Sequence, residues 1–293
     1  MRSLLQKRLD RLMAPDSDSV RPIQEAIVEV AQKLNRPGWS AYLVGGTVRD
    51  LLAGRGSRAG GVQPRDVDII VCGAKHEQLL ELLREILVLD RLTRFGGLHL
   101  SKRLRSGSCV LFDIWTLADT WAFRSQNIPP RIEDFPGTTF LNIDSCAIEL
   151  LNPPGRPRAL FAKGFFEGIA HRVLDVNYAP NPYPYVCVAR ALVMAARLGF
   201  TITRPLADFI LHHTATGGIE ALIEAQQSHY GMVRCDAGEL GMWLHDIRRQ
   251  VDSGQHAIGI EVSRARRLKL WRDYPAAGDS RSQPSPSRSL IPV

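Results

Sequence analysis

Apolar positions recur at helical spacing over residues 23–34 (IQEAIVEVAQKL), and Pro22 stands where a helix start tolerates proline. Pro37 and Gly38 stop that pattern. Residues 40–44 (SAYLV) then predict a short strand and residues 47–52 a short helix. Residues 54–64 (GRGSRAGGVQP) are glycine-rich and basic, so a flexible loop is expected before a buried strand at residues 67–71. Residues 75–87 (KHEQLLELLREIL) put Leu79, Leu82, Leu83 and Ile86 on one stripe of a helix. Three strand-like runs follow at residues 89–95, 98–104 and 109–116, with turns expected at Gly96-Gly97 and Ser106-Gly107-Ser108. Residues 126–139 read as an irregular connection, and residues 141–151 return to strand-like alternation.

From about Tyr183 the pattern turns helical. Residues 185–198 (YVCVARALVMAARL) predict a helix ended by Gly199, with others at 205–213, 219–228 and 236–251. From Pro275 the chain is Pro, Ser and Arg with little apolar content, the composition of a disordered tail. The expected fold class is α+β, with a mixed β-sheet flanked by helices and an all-helical neck-like domain after it. The expected organisation is an N-terminal extension (1–22), a head domain (23–152), a helical domain (153–272) and a tail (273–293).

Composition narrows the setting. The 293 residues can hold one large domain or two modest ones, and 45% hydrophobic content supports a real core. A net charge of +7 suits a polyanionic partner such as RNA without requiring one. Cys72, Cys109, Cys146, Cys187 and Cys235 are widely spaced and form no Cys-x-x-Cys pair. Free thiols in a reducing cytoplasm are therefore expected rather than structural zinc. No run approaches the ~20 apolar residues of a membrane span. The N-terminal MRSLLQKRLDRLM includes Asp10 and lacks a long apolar centre, so it does not read as a secretory signal. A cytoplasmic protein without a membrane partner is the expectation.

The candidate chemistry lies between Tyr42 and Gly73. Gly45-Gly46 ends a strand and opens a helix, where backbone N–H groups can approach an anion without a Cβ in the way. Arg49 adds a fixed charge one turn along, unless it only pairs with Asp50 on the helix surface. Asp66 and Asp68 are two apart on a strand and share a face. Two such carboxylates repel and call for a cation, and Mg²⁺ fits because it takes oxygen ligands and shares its shell with phosphates. The plain alternative has Asp66 capping the loop and Asp68 pairing with an arginine. Asp113, inside the apolar run Val110-Leu111-Phe112-Asp113-Ile114-Trp115, is the candidate third carboxylate, or else a strand-edge aspartate bonded to backbone. Three carboxylates could serve two metal ions that activate a 3′-hydroxyl and stabilise leaving pyrophosphate.

LVGGTVRDLLAGR followed by PRDVDIIVCG resembles the head domain of bacterial poly(A) polymerases and class II CCA-adding tRNA nucleotidyltransferases, in the DNA polymerase beta-like superfamily. The likeness is specific over residues 42–73 and weaker at Phe95-Gly96, at Asp113 and over residues 190–200 (RALVMAARLGF). It implies a five-stranded mixed sheet and a helical neck, with Gly46 and Arg49 on a nucleoside triphosphate and Asp66 and Asp68 on Mg²⁺. Arg190 matches a family arginine and is expected at the nucleotide. The base-reading Glu-Asp-x-x-Arg of the family falls on Tyr183, Pro184 and Cys187, so that motif is absent. An Arg-Arg-Asp segment is also lost, where this chain has Thr138-Thr139-Phe140-Leu141-Asn142-Ile143-Asp144. Tyr183 or Tyr185 could stack on a base, with core packing the simpler role for Tyr185. The family's body and tail, which hold tRNA, are not expected within this length.

The leading reading is an Mg²⁺-dependent nucleotidyltransferase adding nucleoside monophosphate from an NTP to an RNA 3′ end, tRNA among the acceptors. A second has the same chemistry on a protein or small molecule, and a third is a non-catalytic nucleotide- or RNA-binding relative. His171, His212-His213 and His245-Asp246 are not spaced as a metal cluster. Arg264, Arg266, Arg267 and Lys269 beside Trp271 either meet RNA phosphates or form a solvated helix face.

Overall fold

The computed structural model describes residues 1–13, 22–53, 66–93, 96–105, 107 and 109–272. The expected loop at 54–64 and the tail from Pro275 lie outside them, as do Phe95, Ser106 and Ser108. Within the segment expected as an N-terminal extension the chain forms a helix, α1 (Arg2–Met13). It buries Leu5, Leu9 and Leu12, an i, i+4, i+7 stripe, so the expected extension joins the core. Helix α2 (Pro22–Lys33) buries Ala26, Ile27, Val30 and Ala31.

Next come β1 (Ser40–Val44), α3 (Gly45–Ala53), β2 (Asp66–Cys72), α4 (His76–Leu83), β3 (Val88–Leu92), β4 (Leu98–Arg103) and β5 (Cys109–Thr116). Strands β1 and β5 have the bounds expected. Helix α4 stops short of residue 87, because Leu79 and Leu83 already bury its stripe and the chain turns into β3. Helix α5 (Trp121–Gln126) ends at Asn127, whose φ of 50° closes it. It is followed by a one-turn 3-10 helix at Asn142–Asp144, then β6 (Cys146–Glu149) and β7 (Leu160–Ala162).

Among the described residues these strands make one sheet ordered β3-β4-β5-β2-β1-β6-β7. It has seven strands where the resemblance implies five. β2 and β5 run parallel, and the other neighbouring pairs are antiparallel. Alternation gives the sheet two different faces. Val67, Ile69, Val71, Leu98, Leu100, Phe112 and Ile114 face the main core with α1, α2 and α4. The opposite face is covered at one end by a smaller cluster, in which Tyr42, Val44 and Ile70 meet Phe123 and Phe135. The carboxylates occupy the other end of that second face.

The second half contains α6 (Phe165–His171), β8 (Val173–Leu174), α7 (Pro184–Leu198), β9 (Thr201–Thr203), α8 (Arg204–Tyr230), α9 (Ala237–Asp252), β10 (Ala257–Ile258) and α10 (Arg264–Arg272). It is mainly helical, with a small β10-β9-β8 sheet added. The two helices expected at 205–213 and 219–228 run together as α8, broken only at Gly218 (φ 73°). Tyr185 packs so closely on Gly217 that a side chain there would overlap its ring. Tyr185 is thus a packing residue, while Tyr183 is 37% exposed. Among the described residues no helix is long and apolar enough to cross a membrane.

Candidate active site

One row of register pairs crosses the sheet. Arg91 on β3 lies opposite His99 on β4, His99 opposite Asp113 on β5, Asp113 opposite Asp68 on β2, and Asp68 opposite Val44 on β1. Asp66 is two residues before Asp68 and points to the same face. The three carboxylates found in the sequence are therefore neighbours on adjoining strands, as parallel pairing of β2 with β5 requires.

The Gly45-Gly46 turn presses onto this row. Gly45 has φ +65°, a left-handed conformation that suits glycine, and an added Cβ would lie closer than 3.0 Å to Asp68 Oδ2. The Gly46 N–H donates to Asp68 Oδ2 at 3.4 Å, and Thr47 Oγ1 donates to the Asp66 carbonyl at 2.9 Å. The first turn of α3 is in this way fastened to both ends of the Asp66–Asp68 pair.

Asp68 is crowded by charge. Burial pushes its carboxyl well above the usual carboxylate range, and Asp113 and Asp66 push the same way, against partial relief from Arg190 and the Gly46 N–H. Asp113 has turned toward His99, with Oδ1 2.6 Å from Nδ1. That hydrogen bond holds the imidazole pKa above its ordinary value despite burial. Among the described residues no three His, Cys, Asp or Glu side chains converge as a ready metal cage. The three carboxylates are aligned by the strand register, and Asp113 is held through Oδ1 by His99. The donors are all oxygens crowded on one open sheet end, and Asp68 is only partly relieved of its neighbours' charge by Arg190 and the Gly46 N–H. This donor set fits a hard dication through Asp66 and Asp68, with Asp113 beside them.

Arg49 departs from the surface ion pair considered above. It is 2% exposed, and Nε donates to Asp50 Oδ1 at 2.8 Å while Nη1 donates to Asp144 Oδ1 at 2.8 Å. Burial opposes its charge, but Asp50 and Asp144 outweigh burial and raise its pKa. Its Nη2 lies under the Gly46 turn, 3.3 Å from where a Cβ on Gly46 would sit. Arg190 on α7 donates to the second oxygen of Asp144 at 2.8 Å, and Arg197, one helical stretch further, reaches Asp50 at 3.2 Å. Burial would raise Asp144, yet Arg190 and Arg49 hold it below the usual carboxylate range. Asp144 and Arg197 were not singled out in the sequence. Their partners are 95 and 147 residues away in the chain, so local pattern gives no sign of them.

No protein-family model matches the chain. Over 78 residues, 27% of this chain, it is 37% identical to Poly(A) polymerase I of Salmonella typhi, and that stretch is 15% of the relative. Among solved structures, a CCA-adding enzyme in complex with CTP superposes over 85% of this chain and 54% of its own, with a TM-score of 0.56 and 20% identity. The chain has the fold of the CCA-adding enzymes. The Thermotoga maritima CCA-adding enzyme complexed with tRNA gives a TM-score of 0.54 over 85% of this chain and 53% of its own, at 21% identity. This chain spans about half the length of those CCA-adding enzymes. The CCA-adding-enzyme fold accounts for the mixed sheet and the helical portion after it. Tyr183, Pro184 and Cys187, where the resemblance puts the base-reading motif, lie at the start of α7, and Cys187 is buried.

Proposed function

We propose that the chain is an Mg²⁺-dependent nucleotidyltransferase that transfers a nucleoside monophosphate from an NTP to an RNA 3′ end, tRNA among the acceptors. The observation that carries this reading is the pairing of Asp68 with Asp113 across β2 and β5, with the Gly45-Gly46 turn against Asp68. Asp66 and Asp68 would hold Mg²⁺, with Asp113 as the third carboxylate. When bound, the metal would lower the pKa of the attacking hydroxyl and offset charge on the leaving pyrophosphate.

The protein's own groups do the rest. The Gly45-Gly46 turn offers backbone N–H groups at the start of α3, where the helix dipole favours phosphate. Arg49 Nη2 lies under that turn, and Arg190 is the partly exposed cation whose charge already reaches Asp68. Asp144 orients both arginines, so their donors are set before a triphosphate arrives. The poly(A) polymerase relative and the solved CCA-adding enzymes with CTP and tRNA support RNA and NTP as partners.

The test is incubation with each labelled NTP, Mg²⁺ and total RNA, beside an Asp66→Ala/Asp68→Ala control. Label on RNA 3′ ends from wild type alone is expected, and no transfer with any NTP or RNA refutes the reading. A second reading has a protein or small molecule as acceptor. It is favoured by Tyr183, Pro184 and Cys187 standing where a base-reading motif is expected, and label on a protein or small molecule with RNA unlabelled would decide for it.

A further inference from the structure

We infer that His99 is a positioning residue that fixes which oxygen of Asp113 faces the candidate cation site. The inference rests on the reading of Asp66, Asp68 and Asp113 as that site, and it goes beyond it by adding a residue outside the carboxylate set.

The geometry is fixed by β4. Leu98 and Leu100 are fully buried in the main core, so His99 between them must point to the carboxylate face. Its register partner is Asp113, and Nδ1 sits 2.6 Å from Asp113 Oδ1. For that short contact to be a hydrogen bond to a carboxylate, Nδ1 carries the proton and donates. Asp113 Oδ2 makes no hydrogen bond to any described residue. The carboxylate is thus held by one oxygen and free at the other.

That division has a chemical use. Asp68 lies directly across from Asp113, and two carboxylates so placed rotate apart when nothing holds them. The imidazole keeps the Asp113 plane from swinging away, and it limits Asp113 to one available oxygen. Outer partners of this kind orient metal-binding carboxylates, and their removal weakens metal affinity by about 10–100-fold.

The experiment is Mn²⁺ binding to the full chain, followed by electron paramagnetic resonance, with Asp66→Ala/Asp68→Ala as the empty-site control. The variants are His99→Ala, His99→Asn and His99→Gln. Asn keeps an N–H near the place of Nδ1, whereas Gln carries its N–H one methylene too far. His99→Ala is expected to weaken Mn²⁺ by about tenfold or more, with Asn nearer wild type than Gln. If His99→Ala does not fold by thermal melt, the Asn-against-Gln contrast decides alone. Equal Mn²⁺ affinity in all three variants overturns the inference. So does nitrogen coupling in the wild-type Mn²⁺ signal that His99→Ala removes, because His99 would then be a ligand itself. A wild type that binds no Mn²⁺ overturns both the inference and the cation reading. His99-dependent Mn²⁺ binding without label transfer from any NTP supports the inference and sinks only the proposed activity.

Discussion

Replacing Gly45 with alanine tests the contact on which the site depends. The residue has φ +65°, and an added Cβ would meet Asp68 Oδ2 closer than 3.0 Å and Cγ at 3.2 Å. A left-handed conformation costs an L-residue about 1–2 kcal/mol relative to glycine. Moving Asp68 off its rotamer adds roughly 0.5–1.5 kcal/mol. The sum, about 1.5–3.5 kcal/mol, corresponds to a Tm loss of roughly 2–6 °C for a chain of this size. Gly38→Ala separates the two contributions, because Gly38 has φ +80° with nothing within 4 Å of an added Cβ. Calorimetric melts of both variants are the first assay. Gly45→Ala should melt lower than Gly38→Ala by the contact contribution alone. Label transfer is the second assay, and a carboxylate displaced by about 1 Å should lower it about 100-fold in Gly45→Ala only. Equal melting of the two variants with transfer intact in Gly45→Ala would show that Asp68 does not depend on this close approach.

Three other outcomes follow from the same charges and burials. Asp68→Asn should raise the metal-free Tm at pH 7.5, since the folded-state pKa of Asp68 is raised. The penalty it removes is absent below the usual value of about 3.9, grows as pH climbs toward the raised value, and is complete above it, so a Tm gain that persists at pH 3 would refute the sign. Asp144→Asn should lower stability by about 3–5 kcal/mol in urea at pH 7, the range for breaking a buried ion pair. Because the folded-state pKa of Asp144 is lowered, that difference should persist above about pH 4 and shrink as pH falls through the folded value; a gap that widens in acid would contradict it. Cys146, Cys187 and Cys235 are buried with thiol pKa pushed up to about 12, so iodoacetamide at pH 8 should spare them until the chain unfolds; rapid native labelling of all three, read by mass spectrometry, would be the contrary result.

What the sequence made legible was the part written in short-range pattern. β1, β5 and α7 follow from apolar runs and stops, and Asp66 with Asp68 follows from a period of two. Asp113 was readable because a charge inside VLFDIW needs a reason. His99 carried the same signature, a polar residue between Leu98 and Leu100, but it gains meaning only once β4 is known to lie beside β5. Helix α1 carries the stripe Leu5, Leu9 and Leu12, which becomes a core face only through its packing on α2 and α3. The ion-pair pattern that links Asp50, Asp144, Arg190 and Arg197 was not readable, since its members come from α3, the turn at Asn142–Asp144 and α7, and only tertiary packing brings them together.

That set also joins the two halves of the chain. Asp50 and Arg49 belong to α3 beside the sheet, Arg190 and Arg197 to α7, and Asp144 to the short turn between them. Parting α7 from α3 would strand buried ions on both sides, at several kcal/mol for each broken pair. The seam therefore acts as a weld rather than a hinge. The helical half and the sheet should melt in a single transition, and any motion between them has to roll about these arginines instead of opening away from them.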